Sequence, residues 1–162
     1  MTARKVGFDK AYRMIHGLDK DIEHASLIAL RRVGLMAERE IVKLITSQPS
    51  NWPELNEDYK AWKEKKGFST SMLIRSSDMI NRITTYNYGS TILVGLAKHV
   101  INRDGDDLAD IAATMEYGSE KRGIPPRPFL LPSKDKVIKH LKETGYFGNF
   151  VLNYIKKKNG IL

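Results

Sequence analysis

The sequence predicts an α+β domain in which a long N-terminal helix and further helices pack on a small antiparallel β-sheet containing a hairpin. Three observations lead there. Apolar residues recur at the helical period between residues 15 and 44, residues 83–96 alternate about a Gly-Ser turn, and the rest breaks into short helical stretches punctuated by glycine and proline. A chain of 162 residues suits one domain. At that length folding hides roughly 70% of the unfolded surface, enough for a core without staples. Residues 1–162 therefore read as a single domain, with those beyond about 145 forming a basic C-terminal helical extension.

In the first helix Ile15, Leu18, Ile22, Ala25, Ala29, Val33, Met36 and Leu44 form one stripe, with Ile41 beside it. Asp9 is the expected N-cap, its carboxylate taking a free amide of the first turn. Gly17 and Gly34 each cost about 1 kcal/mol relative to alanine and mark places for a bend. Gln48-Pro49-Ser50 ends the pattern. So long a helix suggests an elongated molecule or a helix packed on a neighbour. A second, short helix is predicted over 56–66, with Tyr59 and Trp62 giving it an apolar face and Gly67 as its left-handed cap. Ser69-Thr70-Ser71 is loop, and a helical turn follows around Ser77–Arg82.

Residues 83–88 and 91–96 make the strand pair. Gly89 in a two-residue loop supplies the positive φ of a type II′ turn. The register sets Thr85 against Val94, Asn87 against Ile92 and Tyr86 against Leu93. Two strands alone are marginal, so the ribbon must pack on the long helix or gain strands elsewhere. A polar stretch, 97–107, leads into a helix from about Asp107 to Tyr117 whose apolar face is Leu108, Ile111, Ala112 and Met115. Gly118 stops it. Residues 119–123 are loop, and 124–131 are extended because three prolines lack amide hydrogens and bias the residues before them. Pro132 opens the last helical region, interrupted at Gly145–Gly148. Segments 97–107 and 118–126 are long and polar enough to be mobile in an isolated subunit.

Composition narrows the chemistry. No cysteine is present, which removes disulfides, thiolate nucleophiles and Cys-ligated zinc. No apolar run nears the roughly 18 residues that span a bilayer, and no apolar segment follows the basic N-terminus, so the expected product is soluble, cytoplasmic and free of contact with membranes. The four histidines fall at 16, 24, 99 and 140, with none three or four residues from another. Asp104-Gly105-Asp106-Asp107 is too compressed for a calcium loop and reads as a turn feeding a helix cap. No phosphate loop, dinucleotide fingerprint or nucleophile elbow occurs. The expectation is a protein that is not an enzyme, with no catalytic residue, cofactor or metal.

The net charge of +8 is uneven. Residues 132–162 carry seven Lys and two acids, whereas residues 51–131 carry eleven of each sign. A basic end suits phosphate binding or a frayed, solvated helix. Pro125-Pro126-Arg127-Pro128 by itself fits either a polyproline ligand or a stiff linker.

Its neighbours supply a context. Glu116-Tyr117-Gly118, a short loop, then Ile124-Pro125-Pro126-Arg127-Pro128-Phe129-Leu130 resembles the signature of the phage virion-morphogenesis, tail-completion and head–tail joining proteins. Upstream, Trp52-Pro53-Glu54-Leu55 with Tyr59 and 63–67 resembles that family's Pro-Leu…Tyr…Lys…Gly stretch. Residues 73–79 resemble its Leu-x-x-Ser-Gly-x-Leu segment, with Ser77 where glycine is usual. Met115 stands where histidine is common, and nothing beyond Gly145 aligns. The resemblance implies a small α+β structural subunit in the neck of a tailed phage, present in host cytoplasm before assembly. Its partners would be copies of itself in a closed, six-fold ring, the tail tube and the head connector, with DNA passing through the lumen. The motif residues Glu116, Tyr117, Gly118, Pro125, Arg127, Pro128 and Phe129 become the candidate assembly site. Phe129 would anchor a neighbour, Arg127 would fork onto a carboxylate, and Glu116 and Arg127 would lie close together. The alternative function is a basic nucleic-acid-binding protein, which needs Lys and Arg on one face with aromatics placed to stack.

Overall fold

A computed structural model describes residues 3–160; the side chains of residues 3–7, 10, 13 and 14 lie outside that description. Helix α1 runs Ala3–Ser47, a single element of 45 residues. At 1.5 Å per residue it is roughly 65 Å long. It begins before the expected cap, so Asp9 sits inside the helix; nothing between Ala3 and Asp9 forces a break, because a lone Gly7 only weakens a helix. Among the described side chains the buried positions are Asp21, Ala25, Ala29, Gly34, Ile41 and Ile45, while Ile15 and Ile22 are exposed. The expected stripe thus holds through its middle. It misses Ile45, one turn beyond Ile41, which is fully buried.

Helix α2 (Glu57–Lys65) starts under Asn56, whose side-chain oxygen accepts from the amides of Asp58 at 2.9 Å and Tyr59 at 3.3 Å. It closes as expected through Gly67, at φ 70°, with Phe68 N–H bonded to the Lys63 carbonyl. Helix α3 (Asp78–Arg82) is one short turn. Strands β1 (Thr84–Tyr88) and β2 (Thr91–Gly95) pair antiparallel in the expected register, Thr85 with Val94 and Tyr86 with Leu93.

The hairpin lies across α1 at Gly34. A Cβ placed there would come within 2.5 Å of a Thr85 methyl and 2.7 Å of an Ile92 methyl. Gly34 is the gap that lets sheet and helix touch. Thr85 Oγ1 also donates to Glu38 at 3.0 Å, fixing the crossing.

Residues 97–107 close on themselves. Asn102 Oδ1 accepts from the amides of Asp104 and Asp106 at 2.9 Å each, and an antiparallel bridge joins Ile101 to Asp107. Asp107 then caps α4 (Leu108–Tyr117), accepting from Ala109 N–H at 2.8 Å and from His99 N–H at 2.6 Å. Those bonds hold its carboxyl below the usual range. A 3-10 turn, Glu120–Arg122, occupies the expected loop, and Ser119 and Ile124 exchange backbone bonds at 2.8 and 2.9 Å around it.

Helix α5 (Leu130–Thr144) begins two residues before Pro132, so the extended stretch ends at Phe129. Pro132 falls in its first turn, where no amide hydrogen is needed. Gly145, at φ 55°, ends α5, and α6 (Tyr146–Lys158) follows at once. Both helices pack on α1. Lys136 on α5 pairs with Glu40; on α6, Phe150 lies under Arg32, Tyr154 beside His24, and Lys158 pairs with Asp21. Rising numbers on one side meet falling numbers on the other, so α5 and α6 run antiparallel along α1, end to end.

The core joins Ile41 and Ile45 of α1 to Trp52, Met79, Ile83, Leu108, Ala112 and Phe129. It sits at the C-terminal end of α1. Residues of α3, α4, β2 and α5 join or border it.

Candidate functional site

The resemblance motif is a clasp inside the chain's own core. Glu116, on the last turn of α4, is only 3% exposed. One carboxylate oxygen accepts the amides of Phe129 at 2.7 Å and Leu130 at 2.8 Å, and the other accepts Leu131 at 2.9 Å. These are amides at the start of α5, which no carbonyl of that helix can satisfy. A negative charge there is also favoured by the helix dipole. This cap is why α5 begins at Leu130 although Phe129 offers no capping side chain.

Arg127 fills the other half of the clasp. Its backbone N–H donates to Met115 O at 2.7 Å, which ties the extended stretch to the end of α4. Its Nε donates to Pro53 O at 2.8 Å and its Nη2 to Glu54 O at 2.7 Å. The planar fork thus bridges two successive carbonyls of the segment between α1 and α2. Burial pushes the guanidinium below its ordinary pKa. Trp52, from the same segment, donates through its indole to Pro128 O at 3.2 Å. Phe129 is fully buried among Ile45, Trp52 and their neighbours.

Gly118 sits at φ 77°, and a Cβ there would meet the Ile124 carbonyl at 2.9 Å and the Pro126 ring at 3.0 Å. Only glycine allows that return of the chain. Ser77, which stands where the resemblance expects glycine, has φ 62°. The backbone keeps the left-handed shape that glycine favours, although the side chain has changed.

One expectation needs correction: Phe129 and Arg127 are spent within the subunit rather than held out to a neighbour. The backbone bond from Arg127 to Met115 brings Arg127 beside Glu116, while the carboxylate serves α5 and the guanidinium serves the α1–α2 segment. Pro125 and Pro128 are half-buried, and of the motif's large side chains only Tyr117 is open, at 71% exposure.

A second buried polar cluster escapes sequence reasoning. Lys63, 2% exposed, donates from Nζ to Ser71 O and Ile74 O at 2.8 Å each. Burial first, and the Arg75 charge second, push its pKa below the ordinary lysine value. Gln48 clips the same segment, accepting from Met72 N–H at 2.6 Å and donating to Met72 O at 2.9 Å. The available signal was Lys63 lying one turn after Tyr59 on the apolar face of α2, where a charge needs a reason.

Between α2, the clipped 71–79 segment and α4 lies a groove of about 500 Å³. Leu55, Tyr59, Leu73, Ile111, Met115 and Ile124 give it apolar walls. Among the described residues no group of three metal-ligating side chains comes together, and no helix is long and apolar enough to cross a membrane.

Comparison with known proteins adds one relative. The chain is 34% identical over 90 residues to an uncharacterized protein of Methanocaldococcus jannaschii, a match that takes in 56% of this chain and 62% of that one. The match thus spans less than two thirds of that relative's length. No family model matches the chain, and no solved structure does.

Proposed function

We propose that this chain is a structural subunit of a phage neck, a tail-completion or head–tail joining protein that acts by ring assembly and not by chemistry. The observation that carries the reading is the Glu116–Leu131 clasp. The residues that the resemblance singles out are those with physical tasks no neighbour could take over: Glu116 caps α5, Gly118 permits the return, Arg127 ties down the α1–α2 segment and Phe129 fills the core. The left-handed Ser77 adds a second correspondence of shape.

In this reading the motif builds the subunit, and assembly falls to surfaces the fold leaves open. Four of the seven lysines in residues 132–162 are engaged with carboxylates: Lys134 with Asp135, Lys136 with Glu40, Lys139 with Glu143 and Lys158 with Asp21. Fewer free cations remain for phosphates, so a nucleic-acid-binding role is the weaker reading.

Cryo-electron microscopy of intact particles, with a deletion of the gene, tests the proposal. The expected outcome is a ring of this chain between head and tail, and unjoined heads and tails when it is lost. Mature particles without the protein, or normal joining in its absence, would end the proposal.

A further inference from the structure

Among the described residues, helix α1 carries its apolar stripe past the end of α6. Helix α6 reaches Asp21 through Lys158 and stops near there. Beyond that point Phe8, Tyr12 and Ile15 continue the stripe at i, i+4 and i+7, and they are 75%, 56% and 70% exposed. This is the spacing by which an amphipathic helix fills a hydrophobic groove. At the other end of the molecule, beside the core residues Met79 and Leu108, lies the apolar groove of about 500 Å³. The arm and the groove stand at opposite ends of one continuous helix, so a chain cannot fill its own groove.

We propose that the arm of one copy, residues 3–18, docks through Phe8, Tyr12 and Ile15 into the groove of the next copy. This deepens the ring reading and rests on it. The area of such a contact suffices. Two aromatics at about 150–250 Å² each, with one isoleucine, supply much of the roughly 800 Å² per partner of a stable interface. A contact between two different patches repeats from copy to copy and closes into a ring when its rotation allows.

The absence of cysteine makes the test clean. The full chain carrying Tyr12→Cys and Tyr59→Cys together is oxidised and run without reductant, beside each single variant. A ladder extending past the dimer is expected for the double variant, and no species beyond dimer for the singles. Light scattering on Phe8→Asp/Tyr12→Asp and on Ile124→Asp should show self-association weakened at least tenfold, with the circular dichroism of a folded chain. Failure of the ladder overturns the contact, as does undiminished association of the folded arm variant or a wild-type chain that stays monomeric up to millimolar concentration. Rings that persist in the arm variant would remove the contact and leave the ring reading standing. A ladder together with open filaments would keep the contact and remove the closed ring.

Discussion

Around residues 41–45, α1 is enclosed: Ile41 and Ile45 are buried against Trp52, Met79 and Phe129. Around residues 8–15 the same helix holds Phe8, Tyr12 and Ile15 out to solvent. At the enclosed end the buried charges of Glu116, Arg127 and Lys63 are each bonded to backbone groups of another segment, which fixes where those segments lie. At the open end apolar surface is left over once the fold is complete. Burying a charge is costly unless it is fully bonded, so such groups commit a structure to one arrangement. An apolar stripe is non-directional and leaves its partner unspecified. One end of α1 defines the subunit, and the other is spare.

Substitutions can break or sharpen that contrast. The largest effect is expected from Glu116→Ala, which strands three amides at the start of α5, one of them that of the fully buried Phe129, and should cost about 3–5 kcal/mol. Urea unfolding followed by circular dichroism measures it; a loss under about 1 kcal/mol would mean that water replaces the carboxylate and that the clasp is not what holds α5. Arg127→Lys comes next. An ammonium cannot span the carbonyls of both Pro53 and Glu54 as the fork does, and about 2–3 kcal/mol should be lost in the same measurement.

Gly34→Ala sets two effects against each other. Better helix propensity gains about 1 kcal/mol, while overpacking against Thr85 and Ile92 costs about 1–3 kcal/mol. Both neighbours are β-branched and stiff at χ1, so overpacking should win. Net destabilisation with faster amide exchange in β1 and β2 is expected, and a stabilised variant would show that the hairpin yields. The smallest effect belongs to Phe8→Ser, which should leave the stability of a dilute, monomeric chain within about 0.5 kcal/mol. A larger loss would place Phe8 in the subunit's own packing and erase the difference between the two ends.

Much of the fold was legible because its signals are local. The hairpin register follows from alternation about Gly89, and α2 follows from Asn56 and Gly67 at its ends. The start of α5 was not legible. Its cap, Glu116, lies 13 to 15 residues earlier in the chain, and no reading of local caps connects the two. The proline-rich stretch from Pro125 to Phe129 stood out in the sequence, yet the direction its side chains face did not. Proline-held Phe129 and a forked Arg127 suit an external anchor as well as an internal one, and only the position of the α1–α2 segment decides between them. Gly34 illustrates the reverse case: its cost to the helix was plain, while the hairpin that needs the space is some fifty residues away.

The break at Gly145 gives α1 a mechanical character. From Asp21 to Glu40 the helix is splinted, first by α6 and then by α5, laid end to end along it. Residues 3–20 continue the helix past Lys158, the last residue of α6. A lever built this way bends least along its splinted span and carries any tilt of the globular end out to its tip, enlarged by its length. The glycine between the two splints is the point where that stiffness changes.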